Sequence, residues 1–168
     1  TNAAPFTDAN WISMGGILGV NGTVYASVLD GSGNLYIGGN FTVAGDVFAT
    51  NVAKWNGSTW TALGIGITGT VRALAVLGGE LYVGGSFRVD GTTATNIAKW
   101  NGSSWSPIGS GINSTVYALA VSGSDLYAGG NFSSAGGVVV NGIAKWDGIA
   151  WSALGSGVDY VVQALAVS

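Results

Sequence analysis

"NIAKWNGSSW", residues 96–105, reads almost unchanged as "NVAKWNGSTW" at 51–60 and as "GIAKWDGIAW" at 142–151. The first tryptophans of the phrase, Trp55, Trp100 and Trp146, stand 45 and 46 residues apart. The glycine doublets Gly38-Gly39, Gly84-Gly85 and Gly129-Gly130 keep nearly the same step. A period in this range belongs either to propeller blades or to stacked helical pairs. Residues 70–87, "TVRALAVLGGELYVGGSF", decide between them. Their apolar residues alternate strand-fashion instead of recurring at about 3.6, and glycine is too dense for a helix. The repeat is a unit of β-sheet.

Each unit divides into four short strands. In the second copy they are a, "TVRALAV" (70–76); b, "ELYVGGSF" (80–87); c, "NIAKW" (96–100); and d, "SWSPIG" (104–109). Tight turns at 30–34, 77–80 and 122–125 join a to b. Asn56-Gly57, Asn101-Gly102 and Asp147-Gly148 join c to d, and such dipeptides accept the positive φ of a type I′ hairpin. A tight two-residue turn there sets Trp60 opposite Ala53, whereas a four-residue loop sets it opposite Trp55. Both registers place the two indoles on one sheet face. That face needs cover, and the glycine doublet of strand b offers a surface without Cβ atoms where a neighbouring sheet can approach. A unit unable to bury its own aromatic face stacks on copies of itself. The expected fold is all-β, a propeller-type array of four-stranded antiparallel blades.

Up-and-down strand order puts the a–b and c–d turns on one rim. The longer b–c and d–a loops, "TVAGDVFAT" at 42–50 and "INSTV" at 112–116 among them, then share the other, where function is expected. Trp11 in "NWISMGG" matches the strand-d tryptophans, so 11–16 reads as a lone strand d. Full blades are expected at 23–64, 70–109 and 115–156, and "VVQALAVS" at 161–168 reads as a lone strand a. This falls short of a closed ring of about four to eight blades. The expectation is part of a longer repeat protein, with self-association or continuation into further blades as the way to complete it.

Composition removes several functions. The charged fraction is 8%, against roughly 25% in an average soluble domain, and the net charge is −3. Five Lys and Arg residues make no basic stripe, so nucleic acid is not an expected partner. No apolar run approaches the roughly 20 residues of a membrane span. Histidine and cysteine are absent, which removes Ser-His-Asp and Cys-His nucleophiles and the usual zinc and copper ligand sets. No cofactor or metal is expected.

Carboxylates are the remaining chemistry. Asp30, Glu80, Asp125 and Asp147 fall in tight turns, where such residues serve turn geometry. Asp46, Asp90 and Asp159 fall on the long-loop rim at non-equivalent places, with no second carboxyl arranged for glycoside hydrolysis. Lys54, Lys99 and Lys145 recur once per blade and are expected to lay their stems over the blade edge. Arg72 differs from its strand-a equivalents Tyr25, Tyr117 and Gln163. Strand a lines the channel of a propeller, so Arg72 and Tyr117 are candidate ligand contacts, and Tyr160 is a candidate sugar platform on the rim. The candidate binding set is Arg72, Tyr117, Tyr160, Asp46, Asp90 and Asp159.

The order of apolar strand, glycine doublet ("LYVGGSF"), "AKW", tight turn and "STW" resembles the kelch repeat of galactose-oxidase-type β-propellers. It is still more similar to repeats of large secreted bacterial proteins and of fungal cell-surface polarity markers. The resemblance covers residues 11–168, departing from kelch where only a short turn built on "NGS" or "DGI", four residues in all, separates the aromatics. It implies a propeller used mainly as a binding platform. The expected function is a non-catalytic extracellular or cell-surface binding or scaffolding module, with a protein or glycan partner at the long-loop rim. The alternatives are a lectin-like propeller and a carboxylate-based glycan-active enzyme.

Overall fold

The computed structural model describes residues 19–64 and 66–167, and every regular element among them is a β-strand. The expected strand d at 11–16 lies outside the described residues. The first blade consists of β1 (Thr23–Leu29) and β2 (Leu35–Asn40), a small hairpin of β3 (Val43–Ala44) and β4 (Val47–Phe48), then β5 (Val52–Trp55) and β6 (Trp60–Ala62). The second contains β7 (Ile67–Leu77), β8 (Glu80–Val89), β9 (Thr95–Trp100) and β10 (Trp105–Pro107). The third repeats the first, with β11 (Val116–Ser122), β12 (Asp125–Gly130), the hairpin β13 (Ser134–Ala135) and β14 (Val138–Val139), β15 (Ile143–Trp146) and β16 (Trp151–Ala153). Each blade is a four-stranded antiparallel sheet in the order a, b, c, d. Bridges Val20↔Ala44 and Ile112↔Ala135 tie the segment before strand a to the b–c hairpin, so these loops share a rim.

The c–d register is the four-residue one. Trp55 stands opposite Trp60, Trp100 opposite Trp105 and Trp146 opposite Trp151. Type I′ geometry is not used, because only the glycine of each dipeptide has positive φ: Gly57 at 100°, Gly102 at 99° and Gly148 at 97°. The preceding side chain closes the loop itself. Asn56 Oδ1 accepts the N–H groups of Ser58 and Thr59 at 2.9 Å each, and Asn101 and Asp147 repeat the arrangement.

Each tryptophan pair packs with ring centroids 5.2–5.5 Å apart in a tilted geometry. Cover for the pairs of the second and third blades comes from the preceding blade. Trp105 Nε1 donates to the Leu63 carbonyl at 2.8 Å, and Trp151 Nε1 to the Ile108 carbonyl at 3.3 Å. The opposite face of each blade receives the next one through the glycine doublet, whose two members act differently. A Cβ on Gly38 would meet Val71 and Leu74 of the next strand a, and one on Gly84 would meet Val116 and Leu119. A Cβ on Gly39, Gly85 or Gly130 would instead strike the carbonyl of Thr23, Thr70 or Thr115 in its own blade. The core therefore lies between sheets. One cluster joins Val52 and Leu63 of the first blade to Val71, Leu74 and Trp105 of the second, and another joins the second to the third.

Residues 161–167 correct one expectation, for they form no strand. Val162 N–H donates to the Gly130 carbonyl at 3.1 Å, and Val162 and Leu165 lie over Gly129 as Val116 and Leu119 lie over Gly84. The segment occupies the place of a strand a, but no strand b among the described residues pairs with it. A ladder needs a partner.

The doublet gives a direct test. Gly85→Ala is expected to lower stability by about 1–3 kcal/mol in denaturant unfolding, because its Cβ meets backbone that cannot give way. Gly31→Ala, whose Cβ would meet open space, should leave the midpoint nearly unchanged. Equal effects at the two positions would contradict the packing described.

Candidate functional site

The first strands of the three blades, β1, β7 and β11, stand side by side, with β7 touching both of the others. Each carries a bulge at the same place, between Val24 and Ala26, Val71 and Ala73, and Val116 and Ala118. The residue left out of each ladder is Tyr25, Arg72 or Tyr117. A bulge re-aims the side chain it carries, and here it lines three of them up. The Arg72 guanidinium lies 5.1 Å from the Tyr25 ring centroid and 5.3 Å from that of Tyr117. Cation–π contacts of this kind stabilise by about 0.5–2 kcal/mol each, more as water is excluded. Among the described residues Arg72 has no hydrogen-bond acceptor and no carboxylate partner, and its Nε is buried without a partner.

The long-loop rim is organised by residues that the sequence reading passed over. Asn51, buried to 5% exposure, accepts the Phe41 N–H at 3.0 Å and donates to the carbonyls of Ile67 and Gly69 at 2.7 Å. It thereby clasps strand b of the first blade to strand a of the second. Asn96 does the same one blade on, bonding the Phe87 N–H at 3.2 Å and the Ile112 carbonyl at 2.8 Å. Both have left-handed backbones, Asn51 at φ 66° and Asn96 at 60°, and the third copy has Gly142 at 69° in their place. The Asn, Asn, Gly series was the available signal, since these are the residues that tolerate positive φ.

Beside Asn96 runs a polar groove of about 520 Å³ lined by Thr68, Arg88, Thr95 and Asn113 among others. The corresponding groove of the third blade, about 300 Å³, is lined by Asn131, Asn141, Asp159 and Tyr160. Of the candidate residues, the structure brings Arg72 against Tyr117 and sets Asp159 beside Tyr160. Asp46 and Asp90 join neither group. Asp46 is exposed between the two strands of the β3–β4 hairpin, and Asp90 accepts the Thr68 hydroxyl at 3.2 Å in the second blade.

On the tight rim the lysines do more than cover an edge. Lys99 pairs with Glu80 at 2.9 Å and Lys145 with Asp125 at 3.1 Å, joining strand c to the a–b turn of the same blade. The hydrogen bonds the lysines donate to these carboxylates hold both above the usual lysine value. Lys54 lies 5.6 Å over the Tyr36 ring. Asp30 and Asp147 are held below the usual aspartate value, Asp30 chiefly by the Asn34 side chain and Asp147 by the N–H groups of Ala150 and Ile149. These acids and bases are engaged in closing turns. No group of three or more acidic residues able to hold a metal ion occurs among the described residues.

The clasp separates side-chain bonding from backbone shape. Asn51→Gly should cost about 1–3 kcal/mol for the lost buried hydrogen bonds. Asn51→Ala should be less stable still by about 1 kcal/mol, because it also meets the left-handed penalty. An alanine variant as stable as the glycine one in urea unfolding would refute the backbone argument.

Comparison with known proteins agrees with the architecture. A search among curated proteins finds no match to this chain. The family model described as "Rax2 C-terminal beta propeller domain" matches residues 14–167. The match carries the propeller assignment, and it does not single out the kelch or galactose-oxidase type. With nearly the whole chain matched and three blades of propeller topology in place, the chain belongs to the Rax2 C-terminal beta propeller domain family.

Proposed function

We propose that this propeller domain is a non-catalytic binding or scaffolding module of the extracellular space or cell surface. The observation that carries the reading is the disposition of its carboxylates. Asp30, Glu80, Asp125 and Asp147 are held in turns or ion pairs, and Asp46, Asp90 and Asp159 belong to different stretches of the array. Glycoside hydrolysis by carboxylates uses two carboxyls facing one substrate bond, about 5–9.5 Å apart. The chain invests instead in surfaces, as blades held by asparagine clasps present an inner row of Tyr and Arg and a grooved rim. The surface location rests on the low charged fraction and on the resemblance to repeats of secreted and cell-surface proteins. Among the described residues no helix is long and apolar enough to cross a membrane.

One observation favours a second, lectin reading. Tyr160 is 88% exposed and borders the groove that also holds Asn131, Asn141 and Asp159, an aromatic plane beside polar side chains as sugar binding requires. Trp55, Trp60, Trp105, Trp146 and Trp151 cannot serve this purpose, because they are buried.

Three parallel assays separate the readings: immobilised secreted and surface proteins of the source organism, a glycan array, and a panel of chromogenic glycosides. Saturable protein binding unaffected by Asp46→Asn, Asp90→Asn or Asp159→Asn, with no turnover, is the expected result. Glycan binding abolished by Tyr160→Ala would favour the lectin. Hydrolysis lost on any of the three Asp→Asn changes would establish an enzyme and overturn the proposal.

A further inference from the structure

The row Tyr25–Arg72–Tyr117 is more than a way to hold three strands together. The guanidinium carbon lies over both tyrosine rings, and its N–H donors point outward along the edge of its plane. Along that edge no protein acceptor is provided among the described residues. Nε is buried and unbonded. Among the described residues the two terminal amino groups have no carboxylate partner either. Every other cation for which the structure shows a partner has a structural one: Lys99 has Glu80, Lys145 has Asp125 and Lys54 has the Tyr36 ring.

A partly desolvated guanidinium without an in-plane acceptor is costly to maintain, and such an orphan in a native fold calls for an explanation. A purely structural stack does not require it. The equivalent positions are filled by tyrosine twice and by glutamine at Gln163, so the register accepts neutral residues. Arginine adds a fork of fixed, planar donors that matches a carboxylate.

We infer that the Tyr25–Arg72–Tyr117 row is the anchor of a protein-binding site and that Arg72 takes the carboxylate of an Asp or Glu side chain from the partner. This rests on the binding-module reading and deepens it by naming the residues and the chemistry. Charge complementarity selects the acidic group, since the guanidinium has no carboxylate partner among the described residues. Composition selects a protein as its bearer, because tyrosine and arginine are the residue types that dominate the energetic centres of protein interfaces. Tyr25 is 49% exposed, so an approaching chain can cover the row and strengthen the ion pair by excluding water.

The test uses an array of random seven-residue peptides and an array of acidic oligosaccharides, probed with the whole chain. Peptides that bind are expected to be enriched in Asp and Glu. Their affinity should fall at least about tenfold with Arg72→Met, which keeps the stem between the rings and removes the donors. Arg72→Gln should do the same in a background known to suit the position, since Gln163 occupies the equivalent place, and it stands in if the methionine variant fails to fold. Tyr160→Ala should have no effect. Acidic peptides bound equally well by both Arg72 variants would overturn the site while leaving the binding-module reading intact. No peptide binding at all would count against the site and against the protein-binding reading together. Oligogalacturonate binding that depends on Arg72, without peptide binding, would transfer the site to a glycan and overturn the proposal.

Discussion

Each blade carries two indoles side by side on one face, and no blade can cover its own. Every other feature of the array follows from that burden. The pair at Trp100 and Trp105 is roofed by the end of strand d of the preceding blade, where Leu63 supplies a carbonyl to the indole N–H and Gly64 leaves room for the rings. The same arrangement recurs at Trp146 and Trp151 over Ile108 and Gly109. On its other face a blade must receive its successor, and the first glycine of the doublet provides the space. Stability therefore resides at the blade boundaries, as in other repeat architectures where each unit is stable chiefly through its neighbours.

This arrangement has consequences for function. With burial handled between sheets, strand a is relieved of core duty on one side, and its bulge positions can vary without disturbing the stack. That freedom explains how Tyr25, Arg72, Tyr117 and Gln163 occupy equivalent places in a chain whose tryptophans hardly vary. The rim shows the complementary division. Asn51 and Asn96 are fixed by the bonds that clasp neighbouring blades, and Asn21 and Asn113 by bonds to the b–c hairpins, while Arg88 lines the groove between such anchors.

Much of the fold was legible because the repeat is itself a packing pattern. Alternation in 70–87, the step of the tryptophans and the glycine doublets lead to four-stranded blades without further information. The c–d loop was legible only to within two registers, since Asn-Gly is compatible with both a tight turn and an Asx-closed loop. The bulges were not legible at all. A single residue dropped from a ladder leaves the buried residues on either side, Val71 and Ala73, in ordinary alternation, so no periodicity betrays Arg72. The ion pairs of Lys99 and Lys145 were missed because their partners lie on a different strand and only the antiparallel register brings them together. The clasping asparagines were overlooked although the Asn, Asn, Gly series marked a left-handed position.

The central claim is that the tryptophans of one blade hold the preceding blade in place. Amide hydrogen exchange of the Trp105→Ala variant addresses it most directly. The account predicts that protection falls at Val52 in the first blade together with Val83 and Ala98 in the second, because removing the indole opens the boundary they share. Loss of protection confined to the second blade, with the first exchanging as slowly as before, would contradict it.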